Sequence, residues 1–412
     1  MTDIIYHRTD CRACGSHDLE LVFSLKPSPI GDAYVTREQL EIFQPSYPID
    51  LYQCRQCGLA QITDVIDPEV LYGDYIYVTG SSMGLAAHFR DYAQSVASRL
   101  KLTPGERVVD LGSNDGTLLG CFKQLGMQVL GVEPATHIAL QATAGGIQTI
   151  GAFFTPELAR EMVAEHGYAR LVTANNVFAN IDDLQSWVQG IDLLLAADGV
   201  FVFESYYLAD LLQNKVFDFI YHEHLCAFSV KPVAALFERI GLRLIAVERV
   251  ATKGGSLRYF VQRSTGSLQD DGSVAEMLAH EHAMGLYRKQ TYSDFAEEIN
   301  ALKTQTRNFL LQAKREGKSI AGFGASITGT TLIYHFEIGE LLDYLVDDNP
   351  AKQGRFSPGL HLPVYPCAVL EQRKPDYVLI LAWRFAGAFI SKQGLKHSLI
   401  IPVPEFKVLV HD

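Results

Sequence analysis

The sequence of 412 residues has no apolar run long enough to cross a bilayer, because the best candidate, residues 377–390, is interrupted by Arg384. Its first residues lack the basic-then-apolar pattern of a signal peptide. Low-complexity tracts are absent, and basic residues form no run within a formal net charge of −12. We therefore expect a folded cytoplasmic protein whose main partner is neither a membrane nor a nucleic acid.

Cysteine is scarce, and four of the seven cysteines fall into two matching pairs. Cys11 with Cys14 and Cys54 with Cys57 have the CxxC spacing, and glycine follows each pair. Such a turn brings both thiolates to one ion, and glycine lets backbone amides approach the sulfurs. A redox motif would not need two copies, and disulfides disagree with a cytoplasmic protein. The pattern favours a structural four-cysteine Zn²⁺ site with no open position for a substrate.

The length of the chain predicts two or three domains. Residues 1–70 indicate a small zinc-binding domain with too little core to stand without metal or a neighbouring domain. Residues 71–265 alternate strand and helix patterns, which predicts a parallel, doubly wound α/β sheet that closes with an antiparallel pair. Residues 266–412 begin with a long helical stretch over 275–314 and continue as a half-size α/β domain.

Polar residues follow the first, second and fourth predicted strands of the doubly wound sheet. A glycine turn after a strand lets a ligand approach the backbone, and an acid after the next strand can accept both hydroxyls of a ribose. Carboxylates in the turn repel phosphate, which disfavours a nicotinamide dinucleotide and suits S-adenosylmethionine, a ligand with an amino acid and a sulfonium. The residues expected to bind this methyl donor are Asp110, Gly112, Ser113, Asn114, Asp115, Glu133 and Asn175.

The four residues Tyr221, His222, Glu223 and His224 place two imidazoles, a carboxyl and a phenol side by side. This density of proton-transfer groups is typical of general acid–base chemistry. Apolar residues before and after the segment predict that it packs against the core. A solvated polar turn or a partial metal site is the alternative interpretation.

Two further segments allow two interpretations each. Residues 72–82 are rich in tyrosine and hydroxyl groups, and they predict either a capped connector before a helix or a lid whose phenols contact a ligand. Residues 322–326 form a glycine-rich turn that either cradles a diphosphate or only makes a tight connection. Lys352 and Arg355, on a loop after the next strand, are candidates for binding phosphate or base.

Taken in order, these motifs resemble those of the sugar C-methyltransferase family, whose members act on nucleotide-linked 4-keto-6-deoxysugars. The resemblance is nearly full-length and rests on the two CxxCG pairs and on the segments SNDGTLL at 113–119, IYHEHL at 220–225 and GGSLR at 254–258. In the C-terminal part, GFGAS at 322–326, GTTL at 329–332, DNPAKQGR at 348–355 and Pro-Gly at 358–359 also match. It implies a class I methyltransferase fold between a zinc-binding domain and a Rossmann-like C-terminal domain. The C-terminal domain would help to hold the nucleotide part of the substrate.

The resemblance also implies roles for individual residues. His224 would be the base that removes a proton beside the 4-keto group, with C3 as the expected position of methylation. Tyr221 and Glu223 would orient this base or stabilise the enolate oxygen, and Tyr75 would lie near the sugar. The implied substrate contacts are Gly255, Gly324, Lys352 and Arg355.

Three positions depart from the family's pattern. Asn180 stands where many relatives have a histidine, so it can donate and accept a hydrogen bond but cannot relay a proton. Lys253 replaces the histidine that usually precedes Gly-Gly-Ser, and Thr328 replaces a frequent lysine in the C-terminal glycine loop. These differences keep the reaction type and leave the particular sugar and nucleotide open.

Two other functions fit parts of the sequence. A zinc-ribbon RNA methyltransferase would share the zinc and donor sites, but the net charge of −12 disfavours RNA binding. A non-catalytic sugar-nucleotide-binding protein would not need the intact acid–base residues. We expect an S-adenosylmethionine-dependent C-methyltransferase that acts on a nucleotide-diphospho-sugar as a monomer or a weak dimer.

Overall fold

A computed structural model describes residues 4–72, 84–393 and 396–411. The N-terminal part consists of short strands around the four paired cysteines. Its elements are β1 (Ile5–His7), β2 (Leu19–Ser28), β3 (Tyr47–Cys54), β4 (Ala60–Ile62), β5 (Asp64–Ile66) and helix α1 (Pro68–Tyr72). β1 pairs with β5, while β2, β3 and β4 form an antiparallel sheet.

The central part alternates strands and helices, as the sequence predicts. Its elements are α2 (Leu85–Leu100), β6 (Arg107–Leu111), α3 (Thr117–Gln124), β7 (Gln128–Val132), α4 (Thr136–Ala144), β8 (Thr149–Ile150), α5 (Pro156–His166), β9 (Ala169–Asn175), α6 (Leu184–Leu194), β10 (Leu195–Tyr206), α7 (Leu208–Gln213), β11 (Cys226–Ala227), α8 (Val230–Glu238), β12 (Leu242–Val250) and β13 (Ser256–Arg263). Seven strands form one sheet in the order β12-β13-β10-β9-β6-β7-β8. β13 runs antiparallel to both neighbours and the other pairs are parallel, which confirms the predicted doubly wound sheet.

Alternate residues of β10 enter two different cores, because successive side chains of a strand point to opposite faces of its sheet. Phe201 and Phe203 pack with Phe178 on one face, with ring centroids 6.0 and 4.8 Å from its ring. Val200 and Val202 belong to the core on the other face, together with buried residues of α2 and α3. Burial on both faces holds the strands firmly, so that the turns at their carboxyl ends have fixed positions.

The C-terminal part contains a second α/β sheet. Its elements are α9 (Ser273–Met284), α10 (Lys289–Arg315), β14 (Ile320–Phe323), α11 (Ile327–Phe336), β15 (Tyr344–Asp347), β16 (Val364–Pro366), α12 (Val369–Arg373), β17 (Tyr377–Ile380), α13 (Ala386–Gln393), β18 (Ser398–Ile401) and β19 (Lys407–Leu409). The sheet order is β16-β15-β14-β17-β18-β19, and only β19 is antiparallel to its neighbour.

The prediction of one helical stretch over residues 275–314 is wrong in one respect. Two helices cover this range, because Gly285 adopts a left-handed conformation with φ of 69° and ends α9.

None of the helices that the structure describes combines the length and apolarity needed to cross a membrane.

Candidate active site

The four paired cysteines converge on one centre in the N-terminal part. Their Sγ atoms all lie within 4.8 Å of one another, with Cys11 and Cys57 3.5 Å apart and Cys14 and Cys54 3.6 Å apart. Four sulfurs about 3.8 Å apart surround a tetrahedral Zn²⁺ at its usual Zn–S distance of about 2.3 Å. The thiol set fits this ion, which confirms the predicted four-cysteine zinc site.

A cavity of about 540 Å³ opens beyond the carboxyl ends of the central strands. Polar groups come from the turns after β6, β7 and β9, and apolar side chains form much of the remaining wall. This mixture suits a ligand with a flat apolar base and several polar groups. The residues that line it include Gly112, Asn114, Glu133, Asn175 and Asn180, with Phe89, Val132, Phe153 and Trp187 among the apolar ones.

Glu133 organises one side of the cavity. Its carboxylate accepts the backbone N–H groups of Asn114 and Ala135, both at 2.9 Å. Gly112 has φ of 71°, and a Cβ there would lie 3.0 Å from the side chain of Val177. The glycine and the acid therefore build a tight turn whose backbone a ligand can approach closely.

Ser113 Oγ is buried and has no hydrogen-bond partner within the described part of the chain, but Ser113 does not line the cavity. Two buried polar atoms of residues that do line the cavity also lack such a partner, and they are Asn175 Nδ2 and Asn180 Oδ1. Buried polar atoms are nearly always paired, so these atoms mark places where a polar ligand would complete the hydrogen bonding. An amide donor, a carboxylate and a glycine turn fit the amino acid and ribose parts of S-adenosylmethionine.

Two of the predicted donor-binding acids stand outside the cavity wall that the described residues form. Asp110 accepts the hydroxyl of Thr173 at 2.6 Å, and burial raises the pKa of Asp110 to about 7. Asp115 accepts the backbone N–H of Thr117 at 3.0 Å and its hydroxyl at 2.6 Å. Asp110 thus joins β6 to β9, and Asp115 holds the turn before α3, in contacts that the sequence pattern did not indicate.

Hydrogen bonds fix the imidazole of His224, which is buried as the sequence predicts. Nδ1 lies 2.7 Å from the carbonyl oxygen of Phe219, and Nε2 lies 2.8 Å from the hydroxyl of Tyr221. A carbonyl can only accept, so Nδ1 carries the hydrogen and Nε2 presents its lone pair to the phenol. Burial lowers the pKa of His224 to about 3, which keeps the imidazole neutral. The ring also stacks on Tyr221, with centroids 4.0 Å apart.

The two residues between Tyr221 and His224 have different surroundings. His222 Nε2 lies 3.3 Å from the backbone oxygen of Tyr47, and burial lowers the pKa of His222 to about 4. This imidazole therefore holds the segment to the N-terminal sheet. Burial raises the pKa of Glu223 to about 8, although the charges of Lys253 and Lys352 oppose the shift. At neutral pH the Glu223 carboxyl is mostly protonated and can donate a hydrogen bond.

The N-terminal sheet extends directly into this acid–base segment, residues 221–224. β11, which follows the segment, adds to β4 with Cys226 opposite Gln61 and gives the order β11-β4-β3-β2. Ile62 N donates to the backbone oxygen of Leu225 at 3.0 Å. Cys54 ends β3 of the same sheet. The zinc-binding part therefore supports the acid–base segment, a contact that the sequence pattern did not indicate because β11 is only two residues long.

Three residues connect the donor cavity to the acid–base segment. Tyr72, Asn180 and Lys253 all line the cavity. The side chain of Asn180 contacts the phenol of Tyr72, whose pKa is raised by burial and by the nearby charge of Glu223. Tyr75, predicted to lie near the sugar, and the rest of the tyrosine-rich segment from residue 73 to 82 lie outside the described residues.

Two of the predicted substrate contacts of the C-terminal part, Lys352 and Arg355, lie against the N-terminal part. Lys352 forms an ion pair with Asp32 at 2.5 Å, with its ammonium 5.0 Å from the ring centroid of Tyr34. Arg355 donates to the backbone oxygen of Tyr34 at 3.4 Å. Gly324 has φ of 106° and packs tightly, since a Cβ there would lie 2.7 Å from Ala382. The two cations thus stand at a junction between the N-terminal and C-terminal parts.

Two buried ionic contacts near the site were not predicted. Arg384, the one charged residue in the apolar run at 377–390, binds Asp218 just before the acid–base segment. Glu204, at the end of β10, accepts from His88 at 2.8 Å and from Arg258 at 2.6 Å. A lone arginine in an apolar run and a glutamate in an apolar strand are the sequence signals that could have identified these contacts.

Three family models match successive parts of the chain. A putative zinc binding domain matches residues 11–72, a methyltransferase domain matches 86–247, and a C-methyltransferase C-terminal domain matches 251–404. C-methyltransferase NovU of Streptomyces niveus is 35% identical over 414 residues, which cover 99% of each chain.

Solved structures resemble the chain over less than half of its length. Protein PH0226 of Pyrococcus horikoshii OT3 is 15% identical with a TM-score of 0.38, covering 47% of this chain and 97% of that one. The plantazolicin methyltransferase BpumL, solved with SAH, is 10% identical with a TM-score of 0.35, covering 42% of this chain and 82% of that one.

The strand order, the cavity at the strand ends and the four-cysteine site define a class I S-adenosylmethionine-dependent methyltransferase with a zinc-binding domain. The similarity to NovU, a C-methyltransferase, extends over 99% of both chains and shows to which family of these methyltransferases the chain belongs. The chain belongs to the C-methyltransferase family and is an S-adenosylmethionine-dependent C-methyltransferase.

Proposed function

We propose that this enzyme methylates C3 of a nucleotide-linked 4-keto-6-deoxysugar. The observation that supports the proposal is the hydrogen-bonded pair of Tyr221 and His224, in which a buried and unprotonated imidazole nitrogen is held near the donor cavity. A carbon beside a ketone is a weak acid, so its proton leaves only when a well-placed base accepts it. The resemblance to sugar C-methyltransferases supplies the acceptor class.

In the proposed reaction His224 Nε2 takes the proton from C3, and the electron pair of the C–H bond moves onto the carbonyl oxygen. In the structure the hydroxyl of Tyr221 is hydrogen-bonded to Nε2, so this hydroxyl moves aside when the sugar binds. Bound S-adenosylmethionine supplies an electrophilic methyl group, which C3 takes in line, leaving a neutral thioether. His224 then releases its proton to solvent, which restores the starting protonation states.

Glu223 and Asn180 complete the polar surroundings of the sugar in this proposal. The protonated carboxyl of Glu223 can donate to a sugar oxygen, and it does so without adding a negative charge beside a developing enolate. Asn180 has an unpaired Oδ1 among the described residues and lines the cavity, so it can accept from a sugar hydroxyl. Both residues thus bind the sugar by hydrogen bonds, and proton removal is assigned to His224 alone.

We assign the nucleotide diphosphate to the C-terminal domain. The glycine turn at Gly324 leads into α11, and a helix N-terminus attracts phosphate. Lys352 and Arg355 lie on the loop after β15 and would add positive charge. This assignment divides the chain into a zinc-binding domain at residues 1–70, a donor-binding domain at 71–265 and a nucleotide-binding domain at 266–412.

The experiment that tests the proposal is deuterium uptake from heavy water into a panel of nucleotide-linked 4-keto-6-deoxysugars, followed carbon by carbon by NMR. We expect exchange at C3 of one sugar without the methyl donor, and methylation at C3 when the donor is added. Exchange at another carbon would refute the position. No exchange and no methylation with any sugar would refute the acceptor class, and methylation of RNA would support the zinc-ribbon alternative.

A further inference from the structure

Lys253 occupies a backbone conformation that residues with a Cβ seldom adopt. It lies in the turn between β12 and β13 with φ of 57° and ψ of 21°, a left-handed conformation that costs about 1–2 kcal/mol. Gly254 and Gly255 follow with φ of 89° and 127°. A Cβ on Gly254 would lie 3.1 Å from Val216, and one on Gly255 would clash with Asp210. The surrounding packing therefore enforces this turn, and strain of this kind is concentrated at functional sites.

The side chain of Lys253 reaches the wall of the donor cavity, which it shares with Tyr72, Asn175 and Asn180. Within the described ranges its ammonium forms no ion pair and no hydrogen bond with protein groups. A buried or half-buried charge normally has a partner, so an unpartnered ammonium in a cavity indicates a ligand group that pairs with it.

The other cations near the acid–base segment already have protein partners. Arg384 donates to Asp218 and to Thr328, at 2.9 and 3.3 Å. Lys352 is bound to Asp32 at 2.5 Å. Of the cations whose charge acts on Tyr221, Glu223 or His224 in the described structure, Lys253 is the one without such a bond.

We propose that Lys253 donates a hydrogen bond from its ammonium to the carbonyl oxygen beside the carbon that loses its proton, and so stabilises the enolate. The inference rests on the proposed function and names a second catalytic residue for it. The proton moves from carbon to His224, the electron pair moves to the oxygen, and Lys253 keeps its own proton throughout. A fixed cation at a developing oxyanion is worth about 10²–10³-fold in rate.

The first test compares Lys253→Met with Lys374→Met, a control lysine that also has a positive φ, of 45°, but lies exposed at the end of α12. We expect Lys253→Met to slow deuterium exchange at the sugar carbon by about 10²–10³-fold while its donor affinity, measured by calorimetry, stays close to wild type. The control should leave both unchanged. Wild-type exchange by Lys253→Met would overturn the inference, whereas an inactive wild-type enzyme would overturn the proposed function instead.

The second test uses pH. Burial lowers the pKa of Lys253 to about 8, so deprotonation should slow exchange as the pH rises through this value. The charged groups that face the ammonium are Glu204, Glu223, Arg384 and the imidazole of His224, and burial raises the pKa of Glu223 to about 8 as well. In Lys253→Arg the decrease in exchange rate should occur at higher pH, because arginine stays charged. In Glu223→Gln the exchange rate should decrease at the same pH as in the wild type. The inference would be overturned if the exchange rate still decreased near pH 8 in Lys253→Arg and no longer did so in Glu223→Gln.

Discussion

The guanidinium of Arg384 donates to both carboxylate oxygens of Asp218, at 2.9 and 3.0 Å. The indole of Trp383 adds a third donor at 3.0 Å. Asp218 is completely buried and lies three residues before Tyr221, whereas Trp383 and Arg384 follow β17 of the C-terminal domain. This contact therefore ties the C-terminal domain to the start of the acid–base segment.

Replacing Asp218 with alanine should destabilise the protein strongly. The variant leaves the guanidinium of Arg384 and the indole of Trp383 without their buried acceptor, which costs about 3–5 kcal/mol. Glu371→Ala is the control, because its ion pair with Lys396 is exposed and worth about 0–1 kcal/mol. Denaturant unfolding gives both values, and equal losses in the two variants would contradict this account.

Removing one zinc ligand should impair methyl transfer more than donor binding. Cys54→Ser weakens the zinc centre at the end of β3, and the sheet that contains β3 also contains β11, which begins two residues after His224. We expect the N-terminal domain to lose stability and methyl transfer to fall about tenfold or more, as when groups that position a catalytic residue are loosened. Donor affinity should change little in calorimetry, and Cys121→Ser, outside the zinc centre, is the matched control. A large loss of donor affinity in Cys54→Ser alone would contradict the proposed separation of roles.

The two imidazoles of the acid–base segment should respond differently to substitution. His224→Ala should reduce deuterium exchange by about 10²–10⁴-fold, the usual contribution of a general base. His222→Ala removes a buried hydrogen bond to Tyr47, so it should lower the free energy of unfolding by about 1–3 kcal/mol and keep exchange per folded molecule. Tyr221→Phe preserves the stacking on His224 and should slow exchange less than His224→Ala. Full activity in His224→Ala would rule out its assignment as the base.

Local patterns predicted the regular elements of the central domain well. The alternation of strand and helix patterns over residues 71–265 predicted a doubly wound sheet that closes with an antiparallel pair, and the structure contains this sheet. The zinc centre was predictable for the same reason, because two CxxC pairs carry their ligand geometry in a few adjacent residues. Signals of this kind depend only on neighbours along the chain.

Contacts between distant segments left no such pattern in the sequence. Asp218 and Arg384 are 166 residues apart. A lone arginine in an apolar run signals a buried contact, but it does not indicate which residue is the partner. Lys352 was predicted to bind phosphate or base from its charge, its position in a loop after a strand and the family resemblance, whereas its ion pair with Asp32 depends on how the domains pack. The tautomer of His224 likewise follows from the carbonyl of Phe219, which only the folded backbone brings into reach.

Buried histidines make the stability of the folded protein depend on pH. Burial lowers the pKa of His335 to about 4, and its Nδ1 accepts the backbone N–H of Lys26 at 3.3 Å. In the unfolded chain the pKa returns to about 6.5, so between these values the unfolded state binds a proton that the folded state does not. Stability from this group is therefore complete above about pH 6.5 and falls as the pH decreases towards 4. Asp110 and Glu223 act in the opposite direction, because burial raises their pKa values.

Replacing His335 isolates its contribution from those opposing groups. His335→Gln keeps an acceptor for Lys26 and cannot take up a proton, so the difference in unfolding free energy between variant and wild type should change by up to about 1.4 kcal/mol per pH unit between pH 4 and 6.5. The variant loses less stability on acidification than the wild type. Urea unfolding at a series of pH values measures this slope. Parallel pH profiles for His335→Gln and the wild type would mean that the folded protein binds a proton at His335 as readily as the unfolded chain does.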